Sequence, residues 1–131
     1  NLKTNRSKAG SELLTARGLL VLAGRTAGVQ VIDTVFSDVN DEETFIDEVN
    51  RIKQLGFDGK SVVNPRQIAL VHQIFMPSEQ EIEKSKRILA AYQEALAKNS
   101  GVISLDGKMI DKPIVERAER VLAYAEAASA R

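Results

Sequence analysis

The sequence comprises 131 residues, 44% of them hydrophobic, which is enough to bury the core of one compact domain. Lysine plus arginine and aspartate plus glutamate number 18 each, so no excess of positive charge indicates a nucleic-acid or anionic-membrane partner. Cysteine is absent, which excludes disulfides, thiolate nucleophiles and thiolate metal sites and agrees with a cytoplasmic protein. The most apolar run is far shorter than the roughly 20 residues that span a bilayer, and we expect no cleavable signal.

The first part of the chain predicts a helix followed by a strand. Leucines crowd almost every side of the helix expected over residues 11–27, which favours a helix largely covered by other structure. Ser11 is its predicted N-cap and Gly28 its stop. The β-branched run over residues 29–35 is apolar on both faces, as is typical of a parallel strand that is covered on both sides.

The same order then repeats. Asn40 is the predicted cap of a second helix, with acids in its first turn, and Gly56 ends that helix. Residues 60–64 predict a second strand, and Pro65 opens a further helix. Alternation of helices and strands with short connections is the signature of βα units around a parallel sheet.

The pattern changes after residue 76. Ser78 and Glu81 form a predicted capping box for a long amphipathic helix, which should stop at Asn99-Ser100-Gly101. A strand or hairpin is expected near residues 101–113, with its turn at Asp106-Gly107, before a last helix with one apolar stripe. We therefore divide the chain into residues 1–76, with the two βα units, and residues 77–131, with the helix-hairpin-helix.

Several polar side chains lie at the ends of the predicted strands. Asp33 lies at the carboxyl end of the first strand, where parallel α/β folds concentrate active groups, but a carboxylate satisfied by backbone donors is an equal interpretation. Lys60, Asn64 and Arg66 surround the second strand, and Pro65 stiffens a turn that could present backbone donors and Arg66 to an anion such as a phosphate. A structural turn with solvated charges is the alternative.

Asp111 comes directly before the last helix, which begins near Lys112 and Pro113. One interpretation is an ordinary N-cap with proline at the first helical position, and physical chemistry alone favours it. The other is an acid on a mobile appendage that closes over a substrate. His72 is the only histidine, and no metal-ligand spacing surrounds it.

Ordered residue blocks cover nearly the whole chain and resemble the carboxyl-terminal part of the citrate lyase beta subunit family. That family lies within an aldolase-like superfamily that includes malyl and citramalyl thioester lyases. The blocks, in chain order, are Asn1-Leu2-Lys3-Thr4 with Arg6-Ser7 and Gly10, Glu12-Leu13-Leu14 with Ala16-Arg17, Ile32-Asp33-Thr34-Val35 with Ser37-Asp38, Leu55 to Ile68, and Gly101 to Ala118.

The resemblance implies an α/β fold made of the last βα units of a (β/α)8 TIM-type barrel and a carboxyl-terminal helical extension or lid. The strands over 29–35 and 60–64 would be the seventh and eighth. A complete barrel takes about 250 residues, so this chain would hold its last part.

The resemblance also implies a chemistry, in which a citryl thioester on an acyl carrier protein is cleaved to oxaloacetate and an acetyl thioester. Asp111 matches the family's catalytic acid-base group on the extension, while Asn64, Pro65, Arg66 and Asp33 would bind the substrate or the coenzyme-A-like arm. Mg²⁺ would hold the oxaloacetate half through ligands outside this chain, which itself would have no metal site. Many members have histidine at the position of Asn64, so a role carried by an imidazole does not transfer.

The implied partners are the transferase alpha subunit and the acyl carrier gamma subunit, together with further copies that exchange lids in a homo-oligomer. The 131-residue chain alone would be inactive. Two alternatives stay open, namely a malyl or citramalyl thioester lyase and a non-catalytic oligomerisation module, because two βα units leave strand edges that can pair with another chain.

Overall fold

The computed structural model describes residues 3–98 and 103–129. They form two compact units, Asn1–Phe75 and Met76–Arg131. Within the described ranges, no helix has both the length and the apolar character to cross a membrane. The first residues of the first resemblance block, the predicted helix stop at 99–101 and the start of the predicted hairpin lie outside the described residues.

The first unit alternates helices and strands as predicted. Its two strands pair in parallel, with Ile32 opposite Gly59 and Asp33 opposite Lys60. In chain order, the elements are a short 3-10 helix (Ser11–Leu13), α1 (Leu14–Ala27), β1 (Ile32–Asp33), α2 (Glu42–Leu55), β2 (Gly59–Lys60) and α3 (Arg66–Phe75).

Both strands are shorter than the predicted 29–35 and 60–64, because the neighbouring helix ends use the flanking residues. The Val29 amide donates to the Gly24 carbonyl and so closes the end of α1 instead of joining the sheet. Beyond β2, the amides of residues 63 and 64 donate to the Gln67 side chain and belong to the start of α3.

Two predicted N-caps are wrong by one residue. Gly10, not Ser11, precedes the 3-10 helix, and it has a left-handed φ of 62° with no side-chain cap. Asp41, not Asn40, caps α2, since its carboxylate accepts the Thr44 amide. In both places two consecutive residues are suitable caps, and the backbone conformation at the start of the helix decides which of them is used. The predicted C-terminal glycines, at 28 and 56, are confirmed, both with left-handed φ.

The core of the first unit lies between the helices and one face of the strands, and it contains Val21, Val31, Ile52 and Phe57. The helix α2 buries one face, with Phe45, Val49 and Ile52 as its apolar members. The expectation that α1 is largely covered is wrong for the described residues: the α1 residues that become buried are Arg17, Val21 and Gly24, one stripe at helical spacing. The leucines on its other sides are exposed, Leu22 by 67%.

The second unit is a helical pair with a hairpin. Its elements are α4 (Glu79–Ala97), β3 (Ser104–Leu105), β4 (Lys108–Met109) and α5 (Lys112–Ser129). The capping box at Ser78 and Glu81 is confirmed by both of its reciprocal hydrogen bonds. Side chains from α4, α5 and the hairpin share one core, whose buried members are Ile88, Ile110, Val115 and Ala118.

The hairpin turn is where the sequence predicted it. Asp106 and Gly107 both have positive φ, 53° and 74°, as a two-residue type I′ turn requires. The strands pair antiparallel, with Leu105 opposite Lys108. Arg87 of α4 donates to both carboxylate oxygens of Asp106, at 2.7 and 2.8 Å, and so ties the turn to the helix.

The segment before α1 is held by side-chain contacts. The Ser7 hydroxyl donates to Glu12 Oε2 at 2.6 Å and the Ser7 amide to Oε1 at 3.1 Å. These hydrogen bonds lower the pKa of Glu12 to about 2. Lys8 Nζ lies 2.7 Å from Asp41 Oδ2, which connects the segment to the start of α2 and lowers the pKa of Asp41.

The close approach of α1 to β1 gives a first prediction. A methyl group on Gly24 would overlap the Val31 Cγ2 methyl, whereas one on Gly18 would meet nothing within 4 Å. Gly24→Ala should lower the free energy of unfolding of the chain by about 1–3 kcal/mol through overpacking. Gly18→Ala should raise it by up to about 1 kcal/mol through helix propensity. Urea unfolding measures the free energy of unfolding of both variants. Equal changes at the two glycines would refute the close contact between Gly24 and Val31.

The Ser7–Glu12 contact predicts a pH dependence. The folded pKa of Glu12 lies below the usual value of about 4.3, so its stabilisation is fully present above that value and is lost as the pH falls toward 2. Glu12→Gln and Ser7→Ala should therefore each reduce the thermal midpoint at pH 7 and differ less from the natural chain as the pH falls from 4.5 to 2.5. A difference that stays constant over this window would contradict the assignment.

Candidate functional site

Four charged side chains form a buried ion cluster, defined here as Arg17, Asp33, Glu48 and Lys60. Arg17 donates two hydrogen bonds to Asp33, from Nε to Oδ1 at 2.9 Å and from Nη2 to Oδ2 at 2.7 Å. Its Nη2 also lies 3.1 Å from Glu48 Oε2. Lys60 Nζ joins the two acids, at 2.9 Å from Asp33 and 2.6 Å from Glu48. Two cations therefore neutralise two carboxylates inside the first unit.

The alternation of strand side chains places Asp33 in this cluster. Val31 directly precedes β1 and Asp33 ends it, and both are buried against the helices, while Ile32 between them is 50% exposed on the other face. The carboxylate of Asp33 is thus held by cations of the chain itself, not by the backbone donors considered from sequence. A direct contact of Asp33 with a substrate stays a prediction.

Sequence reasoning missed Arg17 and Glu48, although a signal was present. Arg17 falls on the stripe of α1 that also buries Val21 and Gly24, and Glu48 falls on the apolar face of α2 between Phe45 and Ile52. A charged residue on an apolar helix face needs a partner of opposite charge. Burial lowers the pKa of Arg17, but the two carboxylates more than offset this, and the net shift is upward.

Among the described residues, Arg17 Nη1 is buried without a hydrogen-bond partner. It lies near Gly10, where a Cβ atom would come within 3.5 Å of it. A contact at that distance is ordinary, but Gly10 also has a left-handed backbone, which favours glycine at this position.

Polar contacts also organise the loops that follow the strands. Lys60 Nζ donates to the Thr34 carbonyl at 2.9 Å, which joins β2 to the loop after β1. In the turn after β2, Asn64 Oδ1 accepts the Arg66 amide at 3.0 Å, so Asn64 satisfies the first amide of α3, and Pro65 lies directly before that helix. Arg66 itself is exposed.

These loops border an open cleft. Of the predicted site residues, the cleft brings Asn64 and Arg66 together, and Asp33 and Pro65 do not line it. One wall is basic through Arg66, and the other is acidic. The lining residues are Asp38, Val39, Asp41, Glu42, Phe45, Asn64, Arg66, Gln67 and Leu70.

Asp111 lies in the second unit, between the hairpin and α5. Its Oδ1 accepts the Ile114 amide at 3.1 Å, and its carbonyl accepts the amides of Ile114 and Val115. The N-cap interpretation is therefore confirmed. Its side chain is exposed, next to Met109 of the hairpin, which is also exposed. Capping and acid-base chemistry are compatible in one carboxylate, and the catalytic role stays a prediction.

No group of three histidine, cysteine, aspartate or glutamate side chains able to hold a metal ion occurs among residues 3–98 and 103–129. His72 is exposed on α3.

Comparison with known proteins identifies the family. Residues 1–65 match the model of the HpcH/HpaI aldolase/citrate lyase family. The citrate lyase subunit beta of Haemophilus influenzae is 54% identical over 126 residues, 96% of this chain and 43% of the relative. The chain belongs to this family. The resemblance predicted from the residue blocks is thus confirmed, and the chain spans about 43% of the length of that relative.

Two further similar proteins extend the comparison. A (3S)-malyl-CoA thioesterase of Cereibacter sphaeroides is 36% identical over 118 residues, 90% of this chain and 41% of the relative. A crystal structure of CitE from Mycobacterium tuberculosis in complex with magnesium, acetoacetate and coenzyme A superposes with a TM-score of 0.74. It is 27% identical, over 95% of this chain and 46% of that one.

The ion cluster gives a prediction for stability. Glu48→Gln leaves Arg17 and Lys60 with one buried carboxylate between them, so the free energy of unfolding should fall by about 3 kcal/mol. The control is Asp47→Asn on the exposed side of α2, which should change stability by less than about 0.5 kcal/mol. Chemical denaturation compares them, and a small effect at Glu48 would mean that the cluster is not essential for stability.

Proposed function

We propose that this chain is the carboxyl-terminal part of a carbon–carbon lyase of the citrate lyase beta type. The parent enzyme cleaves a citryl thioester on an acyl carrier protein to oxaloacetate and an acetyl thioester. The observation that carries the proposal is the 54% identity with a citrate lyase beta subunit across 96% of the chain. The parent works in the cytoplasm with a transferase alpha subunit and an acyl carrier gamma subunit.

In this proposal, β1 and β2 are the seventh and eighth strands of a (β/α)8 barrel, and residues 77–131 form the lid. Parallel pairing of the strands supports the barrel, as does the apolar surface that further strands and helices would cover, which includes Ile32 and the α1 leucines. The second unit, with its own core and hairpin, supports a lid that can be exchanged between subunits of a homo-oligomer.

Asp111 is the proposed acid-base group. Cleavage breaks the bond between the acetyl carbon and the carbon that bears the hydroxyl group, and the electron pair stays with the acetyl thioester as its enolate. The hydroxyl group loses its proton as the ketone of oxaloacetate forms, and the acetyl carbon gains one. An exposed carboxylate at a helix start, beside an exposed hairpin, suits transfer of the proton at the acetyl carbon.

The turn at Asn64, Pro65 and Arg66 is the proposed site for the thioester arm. Arg66 is exposed at the cleft, and the amino terminus of α3 favours an anionic group there. Asp33 acts indirectly, because its carboxylate holds Lys60, and Lys60 in turn holds the loop after β1.

Magnesium is the implied metal of the parent enzyme, where it would polarise the oxygens of the oxaloacetate half. The described residues of this chain do not fit a magnesium site. They contain no suitable group of three ligands, and the buried acids Asp33 and Glu48 are already paired with Arg17 and Lys60. We place the ligands elsewhere in the parent protein, and expect the 131-residue chain alone to be inactive.

A pair of substitutions in the full-length parent tests the role of Asp111. Asparagine caps helices about as well as aspartate, so Asp111→Asn should keep the stability of the lid but reduce kcat about 100-fold or more through loss of proton transfer. The matched control is Asp106→Asn, in the turn of the preceding hairpin, which should retain activity. Release of oxaloacetate from a citryl thioester is the measurement, and unchanged turnover in Asp111→Asn would refute the catalytic role.

A malyl thioester is the second candidate substrate, favoured by the 36% identity with a malyl-CoA thioesterase. The relative rates of the full-length enzyme with citryl and malyl thioesters decide between the two substrates.

A further inference from the structure

Gln67 is a buried polar residue that sequence reasoning did not single out. It lies on the first turn of α3 and is 5% exposed. Its Oε1 accepts two backbone amides, from Val63 at 3.1 Å and Asn64 at 3.2 Å, and its Nε2 donates to the Phe36 carbonyl at 3.2 Å. One side chain therefore joins the turn after β2 to the loop after β1.

Only an amide can make this bridge at full strength, because it presents an acceptor and a donor at the same side-chain length. The far end of the bridge is itself anchored, since the Phe36 ring packs against Phe45, which is 1% exposed, with 5.9 Å between ring centroids. Lys60 makes a second connection to the same loop, because its Nζ donates to the carbonyl of Thr34, two residues before Phe36. The loop after β1 is thus connected to β2 through Lys60 and to the turn after β2 through Gln67.

We infer that Gln67 is a positioning residue, which fixes the Asn64–Arg66 turn against the loop after β1 and so orients Arg66 toward its ligand. The inference rests on the proposed function, in which this turn binds the anionic thioester arm. Gln67 acts on binding through the backbone of Val63 and Asn64, and it does not touch the reacting atoms. Its loss should weaken binding of the thioester while the chemical step is retained.

The first experiment measures steady-state kinetics of the full-length enzyme with the variant Gln67→Met. This near-isosteric change removes all three hydrogen bonds, and we expect KM for the thioester to rise about tenfold, with kcat within about twofold of the natural enzyme. The control is Gln73→Met, an exposed position on the same helix, which should change neither constant. An unchanged KM in Gln67→Met, or an equal change in both variants, would overturn the inference.

A second variant covers the case in which Gln67→Met does not fold. Gln67→Glu keeps the acceptor for Val63 and Asn64 and loses the donor to Phe36, so its KM should rise above that of the natural enzyme, but by less than about tenfold. A KM for Gln67→Glu equal to that of the natural enzyme would show that the bridge to the loop after β1 does not position the turn.

Hydrogen exchange separates a failure of this inference from a failure of the proposed function. The amides of Val63 and Asn64 should exchange about tenfold faster in Gln67→Met, or in Gln67→Asp should Gln67→Met not fold, and not in Gln73→Met. If they do, but the natural enzyme neither binds coenzyme A by calorimetry nor cleaves a thioester, the bridge is real and the proposed function is wrong. Unchanged exchange in folded Gln67→Met, or in folded Gln67→Asp, would refute the bridge whatever the enzyme binds.

Discussion

Two cations and two carboxylates lie buried where α1, β1, α2 and β2 meet, and each comes from a different element. Apolar contacts tolerate small shifts of one element against another. The bidentate ion pair of Arg17 with Asp33 requires one geometry. A displaced element would leave a buried charge unpaired, which is far more costly than a lost apolar contact. The ion cluster therefore fixes the helices against the strands, and the neighbouring core then packs on a defined frame.

The same cluster also positions the loop after β1, to which the proposed binding turn is connected. Lys60 holds both acids and also the Thr34 carbonyl, so the loop after β1 is connected directly to the buried charges. Gln67 then connects the loop after β1 to the turn at Asn64, because it donates to the Phe36 carbonyl and accepts the Asn64 amide. Order at the exposed Arg66 thus derives from polar contacts that begin in the core, which is how a rigid scaffold supports groups on loops.

The parts of the proposed site are divided between the two units. The binding turn lies in the first unit, on a pair of strands that expose one apolar face. The proposed acid, Asp111, lies in the second, where local hydrogen bonds explain its position fully without any reference to chemistry. Its function therefore rests on family membership, while its geometry rests on the helix that it caps.

The sequence by itself determined the features that depend on a few neighbouring residues. Helix positions, the terminal Gly28 and Gly56, the capping box at Ser78 and the Asp106-Gly107 turn all follow from local backbone preference, and the residue blocks indicated the family. Tertiary structure alone decided the strand lengths, the exposure of the α1 leucines, the partners of Asp33 and the bridge made by Gln67. Arg17 and Asp33 are 16 positions apart and Gln67 and Phe36 are 31 apart, so no local pattern contains these contacts. They form only when folding brings distant charges and amides together away from water, where each must find a partner.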